Sequence, residues 1–245
     1  MIITFFGTKG GTGTTTMAVN GAADIQRLSQ RPTIVIDAKQ APGDVSVFLG
    51  LRPRYSMVEL IDQVGWSDPT LARRYVAEHD SGLHVLAASE AFGRPQARDA
   101  EGVAQSVTCF SAIYSFVVID AGSTLSSAVP ALTLADIVVL VANPDVPCLR
   151  NLQRLTDALR LAGVTPEVVR VLLNRVSDTG ALPVAQIEKV LGRTIDFQVP
   201  SDYRTVAAAI NAGVPVCGLR QTDLHVQLEV MARSLIGQQS AEAAS

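Results

Sequence analysis

Residues 2–16 run from an apolar stretch straight through a glycine-rich loop into a helix start. The order is Ile2-Ile3-Thr4-Phe5-Phe6, then Gly7-Thr8-Lys9-Gly10-Gly11-Thr12-Gly13, then Thr14-Thr15-Thr16. Glycines let the backbone wrap an anion with successive N–H groups pointing inward. A helix that begins where such a loop ends adds its positive end to the same spot. The spacing follows the phosphate-loop pattern G-x-x-x-x-G-K-[ST], with Gly7, Gly13 and Thr15 in place and Thr14 where the lysine belongs. A strand, a loop and a helix in this order demand a sheet covered by crossover helices. The fold class expected is α/β, a doubly wound and mostly parallel sheet of the P-loop NTPase kind.

The rest of the chain repeats that alternation. Strands are expected at Ile2–Phe6, Thr33–Asp37, Leu83–Ala87, Phe116–Asp120, Ile137–Ala142, Val168–Asn174 and Ile195–Gln198. Most are continuous apolar runs, as parallel strands covered on both faces require. Helices are expected at Thr15–Ser29, Met57–Val64, Pro69–Glu78, Ala100–Ala112, Pro147–Ala162, Pro183–Leu191, Tyr203–Ala212 and Asp223–Ile236. With 245 residues and 48% hydrophobic content, one well-buried domain suffices. That domain is placed at 1–237, and 238–245 reads as a disordered tail.

The loop is expected to bind the phosphates of a nucleotide through Gly10, Gly11, Thr12, Gly13, Thr14, Thr15 and Thr16. The Thr15 hydroxyl suits Mg²⁺, whose remaining positions the β- and γ-phosphates complete. Lys9-Gly-Gly-Thr-Gly-x-Thr-Thr resembles the deviant Walker A motif, KGGxGK[ST]T, of the MinD/ParA ATPases. Further segments resemble the same family in order. Ile34-Val-Ile-Asp37 is similar to the strand carrying its first switch aspartate, and Phe116-Val-Val-Ile-Asp120 to its Walker B strand. Val171-Leu-Leu-Asn174 is similar to the segment whose asparagine contacts adenine. Val199-Pro200-Ser201-Asp202-Tyr203 and Ala209–Pro215 resemble the late loop and helix beside the base. The resemblance implies an ATP-dependent homodimer in which Lys9 reaches the partner's phosphates. It implies catalytic roles for Lys9, Asp37 and Asp120, metal contact by Thr15 and Asp120, and nucleotide contact by Asn174, Pro200, Ser201 and Asp202. Within the family, Gly43–Tyr55 and Gly82–Ala88 resemble the CpaE/TadZ branch, which implies pilus or secretion assembly proteins as partners. Members of that branch often carry a receiver-like domain ahead of the ATPase-like domain; here the glycine loop begins at Gly7.

Two departures from the family pattern point the same way. Thr14 stands in place of a lysine that follows the charge developing in phosphoryl transfer. Lys39 stands where an Asp-x-Asp switch places its second aspartate, and a charged lysine cannot take a proton from water. Together they imply slow hydrolysis. By charge, Lys39 can lean toward the β/γ-phosphates and partly replace the lost lysine, so it joins the nucleotide-binding set. Asp44 is either a replacement acid or turn chemistry.

Composition narrows the partners. A net charge of −3 supplies no polycation field for nucleic acid. Arg150 and Arg154 nevertheless share a helix face, with Arg160 nearby, so an active ParA-type partitioning ATPase that binds DNA nonspecifically is the alternative reading. Asp223–Ile236 carries Leu224, Leu228, Met231 and Leu235 at helical spacing with Arg233 as its lone arginine. That is the pattern of a core or partner-facing helix rather than a membrane anchor. Met1 leads directly into the first strand and no apolar run reaches about 20 residues. A cytoplasmic protein is expected, recruited to membrane or pole by partners. Cys109, Cys148 and Cys217 show no metal-binding spacing and read as small buried hydrophobes. Asp120-Ala-Gly-Ser-Thr lacks the bridging cysteine that an iron–sulfur reductase on this scaffold needs.

Overall fold

The computed structural model describes residues 1–39, 42–63, 68–89, 99–177 and 182–242. Its strands are β1 (Ile2–Gly7), β2 (Thr33–Asp37), β3 (Ala77–Glu78), β4 (His84–Leu86), β5 (Phe116–Asp120), β6 (Ile137–Ala142), β7 (Val169–Val176) and β8 (Phe197–Pro200). They form one sheet in the order β3-β4-β2-β5-β1-β6-β7-β8. Every pairing is parallel except the short edge pair β3–β4. β2, β5 and β6 are buried at every residue, which explains their continuous apolar sequences.

The helices are α1 (Thr14–Ser29), α2 (Val45–Phe48), α3 (Met57–Gln63), α4 (Pro69–Ala72), α5 (Asp99–Ser111), α6 (Leu125–Thr133), α7 (Val146–Leu161), α8 (Val184–Leu191), α9 (Tyr203–Ala212) and α10 (Asp223–Glu242). They cover the sheet on both faces. On one face Met17, Ala18, Ala22 and Ile25 of α1 meet Leu224, Leu228, Met231 and Leu235 of α10 over Phe5, Val35 and Val118. On the other, Val107 and Phe110 of α5, Ala131 and Leu132 of α6, and Leu152 of α7 pack on Phe6, Ile36 and Leu140. The doubly wound architecture is therefore as the sequence implies, and α10 is a core helix. Cys109 and Cys148 are buried free thiols, and Cys217 is partly buried. Among the described residues no helix is long and apolar enough to cross a membrane.

Several boundaries differ from expectation. Pro69–Glu78 is not one helix: α4 ends at Ala72, Arg73–Tyr75 tightens to a 3₁₀ turn, and β3 pairs with β4. Asp68 caps α4 through the N–H groups of Thr70 and Leu71, so the start signal is real while pairing at the sheet edge overrides its continuation. α6, absent from the sequence reading, carries Pro130 inside it yet buries Ala128, Ala131 and Leu132. α10 continues through Glu242, beyond the 237 boundary expected from its apolar spacing. Val64, the expected last residue of α3, and residues 243–245 of the expected tail lie outside the described residues.

Candidate functional site

Three strands end at one place. β1 ends at Gly7, and the register pairs Phe5 with Asp120 and Asp37 with Asp120. The carboxyl edge of β2, β5 and β1 thus presents two aspartates beside the glycine loop, in the crevice where ligands bind in open α/β sheets. A cavity of about 420 Å³ opens there. Lys9, Gly10, Gly11, Gly13, Thr14, Thr15, Thr16, Lys39, Asp44, Phe48, Ala121, Gly122, Ser123, Thr124, Ser127 and Arg175 line it.

The loop is built as an anion cradle. Gly11 and Gly13 sit at φ +79° and +94°, which L side chains rarely adopt. Cβ atoms built on Gly10 or Gly11 would meet nothing within 4 Å, so the backbone there stands bare to the cavity. The cap residue of α1 is Gly13, with no side-chain cap and no acidic residue in the first turn. The first N–H groups of α1 are therefore left for an external acceptor. Thr14 does not offer a positive charge: its hydroxyl pairs with that of Thr12 at 3.3 Å, inside the loop. These features fit a polyphosphate.

The acidic side is more crowded. The Thr15 hydroxyl donates to Asp120 Oδ2 at 2.6 Å. Lys39 Nζ lies 3.4 Å from that same oxygen and 2.8 Å from Asp44 Oδ2. Lys39 therefore turns into the cavity rather than out to solvent. Burial works against its charge, but Asp120, Asp44 and Asp37 outweigh that and raise its pKa. Asp120 is fully buried, and its pKa is raised by burial despite Lys39. The hydroxyl and carboxylate expected to hold Mg²⁺ are adjacent, yet an ammonium already bears on the carboxylate, so the corner fits a divalent ion poorly.

Asp37 is buried and accepts from the N–H groups of Val45 and Lys39 at 3.1 and 3.3 Å. Burial, with Asp120 alongside, pushes its pKa up to about 7. The folded protein thus keeps this proton where the unfolded chain, with an ordinary value of ~4, has released it. The stability it contributes is full below pH ~4 and is lost as pH rises toward 7. Melting of the wild type should fall between pH 5 and 7.5, on the order of 5 °C more than melting of Asp37→Asn. Parallel melting curves would refute the assignment.

Lys9, at the lip of the cavity, pairs with Asp145 at 3.1 Å. Asp145 also caps α7 through the N–H of Cys148. Its bond to Lys9 raises the lysine's pKa, and the Cys148 N–H and Lys9 together lower that of Asp145 against its partial burial. The pairing spans 136 residues of sequence, and no local pattern announces it. Arg175, also missed, lines the cavity from a left-handed conformation at φ +61°.

Other expected contact residues lie outside the lining of this cavity. Asn174 is buried beneath the loop, donating to the Thr12 carbonyl at 2.8 Å, and does not line the cavity. Thr12, Asp37, Asp120, Pro200, Ser201 and Asp202 also do not line it; Asp120 bears on it through Thr15 and Lys39. Asp202 caps α9 by accepting from the N–H and hydroxyl of Thr205.

Sheet order, glycine cradle and paired aspartates together define a P-loop NTPase fold of MinD/ParA-like architecture, in which the loop after β1 lies beside the ends of β2 and β5. A family profile described as "Cellulose biosynthesis protein BcsQ" matches residues 1–162, and the chain belongs to that family. The chain is also 28% identical, over 240 residues, to a putative septum site-determining protein MinD of Mesostigma viride, covering 94% of this chain and 81% of that one. Among solved structures it resembles a ParA family ATPase from Chlorobium tepidum (TM-score 0.82, 21% identity, 94% of this chain and 96% of that one). It likewise resembles septum site-determining protein MinD from Pyrococcus horikoshii complexed with Mg-ADP (TM-score 0.80, 19% identity, 96% and 95% covered). At these identities the structural likenesses establish the fold. None of these matches bears a pilus-assembly description, so the narrower CpaE/TadZ resemblance rests on residues 43–55 and 82–88 alone.

Proposed function

We propose that this chain is an ATP-binding positioning or partitioning protein of the MinD/ParA type. Nucleotide enters the cavity at Gly10–Thr16 and brings two copies together through Lys9. The observation that carries this reading is the bare loop backbone joined to the uncapped first turn of α1, beside the buried Asp37 and Asp120. ATP is the nucleotide class of the relatives, and weak hydrolysis follows from Thr14 and Lys39. In the monomer Lys9 is occupied by Asp145, so pairing requires Lys9 to leave that carboxylate.

Partitioning is favoured over pilus assembly as the form of the activity, because the similar proteins are septum-placing and ParA-type proteins. The family description adds a cellulose-synthesis machine as a candidate cargo. DNA is the other: Arg150, Arg154 and Arg160 are all exposed along α7. Recruitment to a membrane would come through such partners.

Sizing the protein with ADP and with a non-hydrolysed ATP analogue tests the proposal. We expect monomer with ADP, dimer with the analogue, and monomer in both for Lys9→Ala. Affinity for mixed-sequence DNA should appear only in the dimer and fall steeply with salt if DNA is the cargo. Failure of both nucleotides to bind would end the proposal.

A further inference from the structure

We propose that Lys39 is a built-in counter-cation, and that this chain binds the phosphates of its nucleotide without a divalent metal. The inference rests on the nucleotide reading above and specifies its chemistry. The corner a metal would occupy is defined by the Thr15 hydroxyl and Asp120 Oδ2, and Lys39 Nζ is 3.4 Å from that oxygen. Asp44 holds the ammonium from the other side at 2.8 Å. The stem is held as well: a Cβ on Gly122 would come within 3.2 Å of Lys39 Cγ, so the aliphatic chain lies along that backbone. Only 19% of the side chain is exposed.

Charge and valence agree with the placement. Asp37 and Asp120 are two buried carboxylates in register on neighbouring strands. A buried carboxylate at Asp120 needs a cation, and Lys39 supplies one from within the chain. An ammonium has three donors. Asp44 and Asp120 take two, and the third remains for a phosphate oxygen in the cavity that Lys39 lines with Gly10, Gly11 and Gly13. A divalent ion placed on the Thr15–Asp120 corner would face that ammonium across one carboxylate, and the like charges oppose each other. The loop itself gives no alternative charge, because position 14 is Thr14 and Lys9 is paired with Asp145.

The test is titration of metal-stripped protein with ADP, in EDTA and in Mg²⁺ buffer, by calorimetry. The wild type should show the same affinity in both. Lys39→Met should lose roughly tenfold or more in EDTA, the worth of a charge-assisted hydrogen bond, and recover with Mg²⁺. Lys39→Gln serves if the methionine variant does not fold. A wild type that binds ADP only with Mg²⁺ overturns the inference and leaves the nucleotide reading standing. A Lys39 variant as metal-independent as the wild type overturns the assignment to this residue. No ADP binding in either buffer removes both readings.

Discussion

Replacing Thr14 with lysine and Lys39 with aspartate together should raise the rate of ATP hydrolysis by about 10²–10³, the usual worth of a charge-stabilising group at a reacting centre. The parent lacks two things. The Thr14 hydroxyl is turned inward to Thr12, so nothing at that position follows charge onto the phosphates. Lys39 bears on Asp120 and Asp44 and cannot accept a proton from water. The two changes should be strongly non-additive. Thr14→Lys alone puts a second ammonium into the cavity that Lys39 already lines. Lys39→Asp alone adds a third carboxylate beside Asp37 and Asp120 and removes their cation, so it should melt at lower temperature than the parent. Made together, the substitutions exchange the cation's position rather than deleting it, and both stability and turnover should exceed the sum of the single effects. Phosphate release and thermal melting of the four proteins measure this. A double variant as slow as the parent would show that these positions do not govern hydrolysis.

The parts of the site that lie at strand ends were legible in the sequence. Ile34–Asp37 and Phe116–Asp120 are continuous apolar runs ending in an acid, and parallel pairing in register then sets the two acids side by side. The loop was legible because glycine spacing and a following helix are local features. What was not legible depends on folding back over distance. Lys39 meets Asp44 five residues along the chain, a spacing that no regular element sets. Lys9 finds Asp145 because α7 begins beside the loop. Neither partner has a periodic signature. Asn174 was picked out by its motif, but position along a strand does not say which way a side chain turns at the strand's end, and here it turns under the loop. The errors in secondary structure have the same origin. Ala77 and Glu78 are strand only because β4 is there to pair with them. α6 tolerates Pro130 because its buried alanines and leucine hold it to the sheet. α10 outruns its apolar spacing because a helix, once packed, continues through residues with adequate propensity such as Gln238.

Gly13→Ala should destabilise the protein by about 2–4 kcal/mol and abolish nucleotide binding, through two separable faults. The first is conformational: Gly13 sits at φ +94°, and a side chain there is strained wherever its neighbours are. The second is steric: a Cβ at this position would overlap the Asn174 amide nitrogen. That amide cannot simply withdraw, because it holds the Thr12 carbonyl at 2.8 Å and so fixes the underside of the loop. Asn174→Ala alone should therefore cost about 1–2 kcal/mol, the loss of a buried hydrogen bond. Combining the two substitutions removes the overlap but not the backbone strain, so the double variant should be more stable than the sum of the single losses predicts. Urea unfolding of the three variants resolves the two contributions. Additive losses would mean that Asn174 does not press against Gly13, and that this asparagine faces the nucleotide rather than bracing the loop from below.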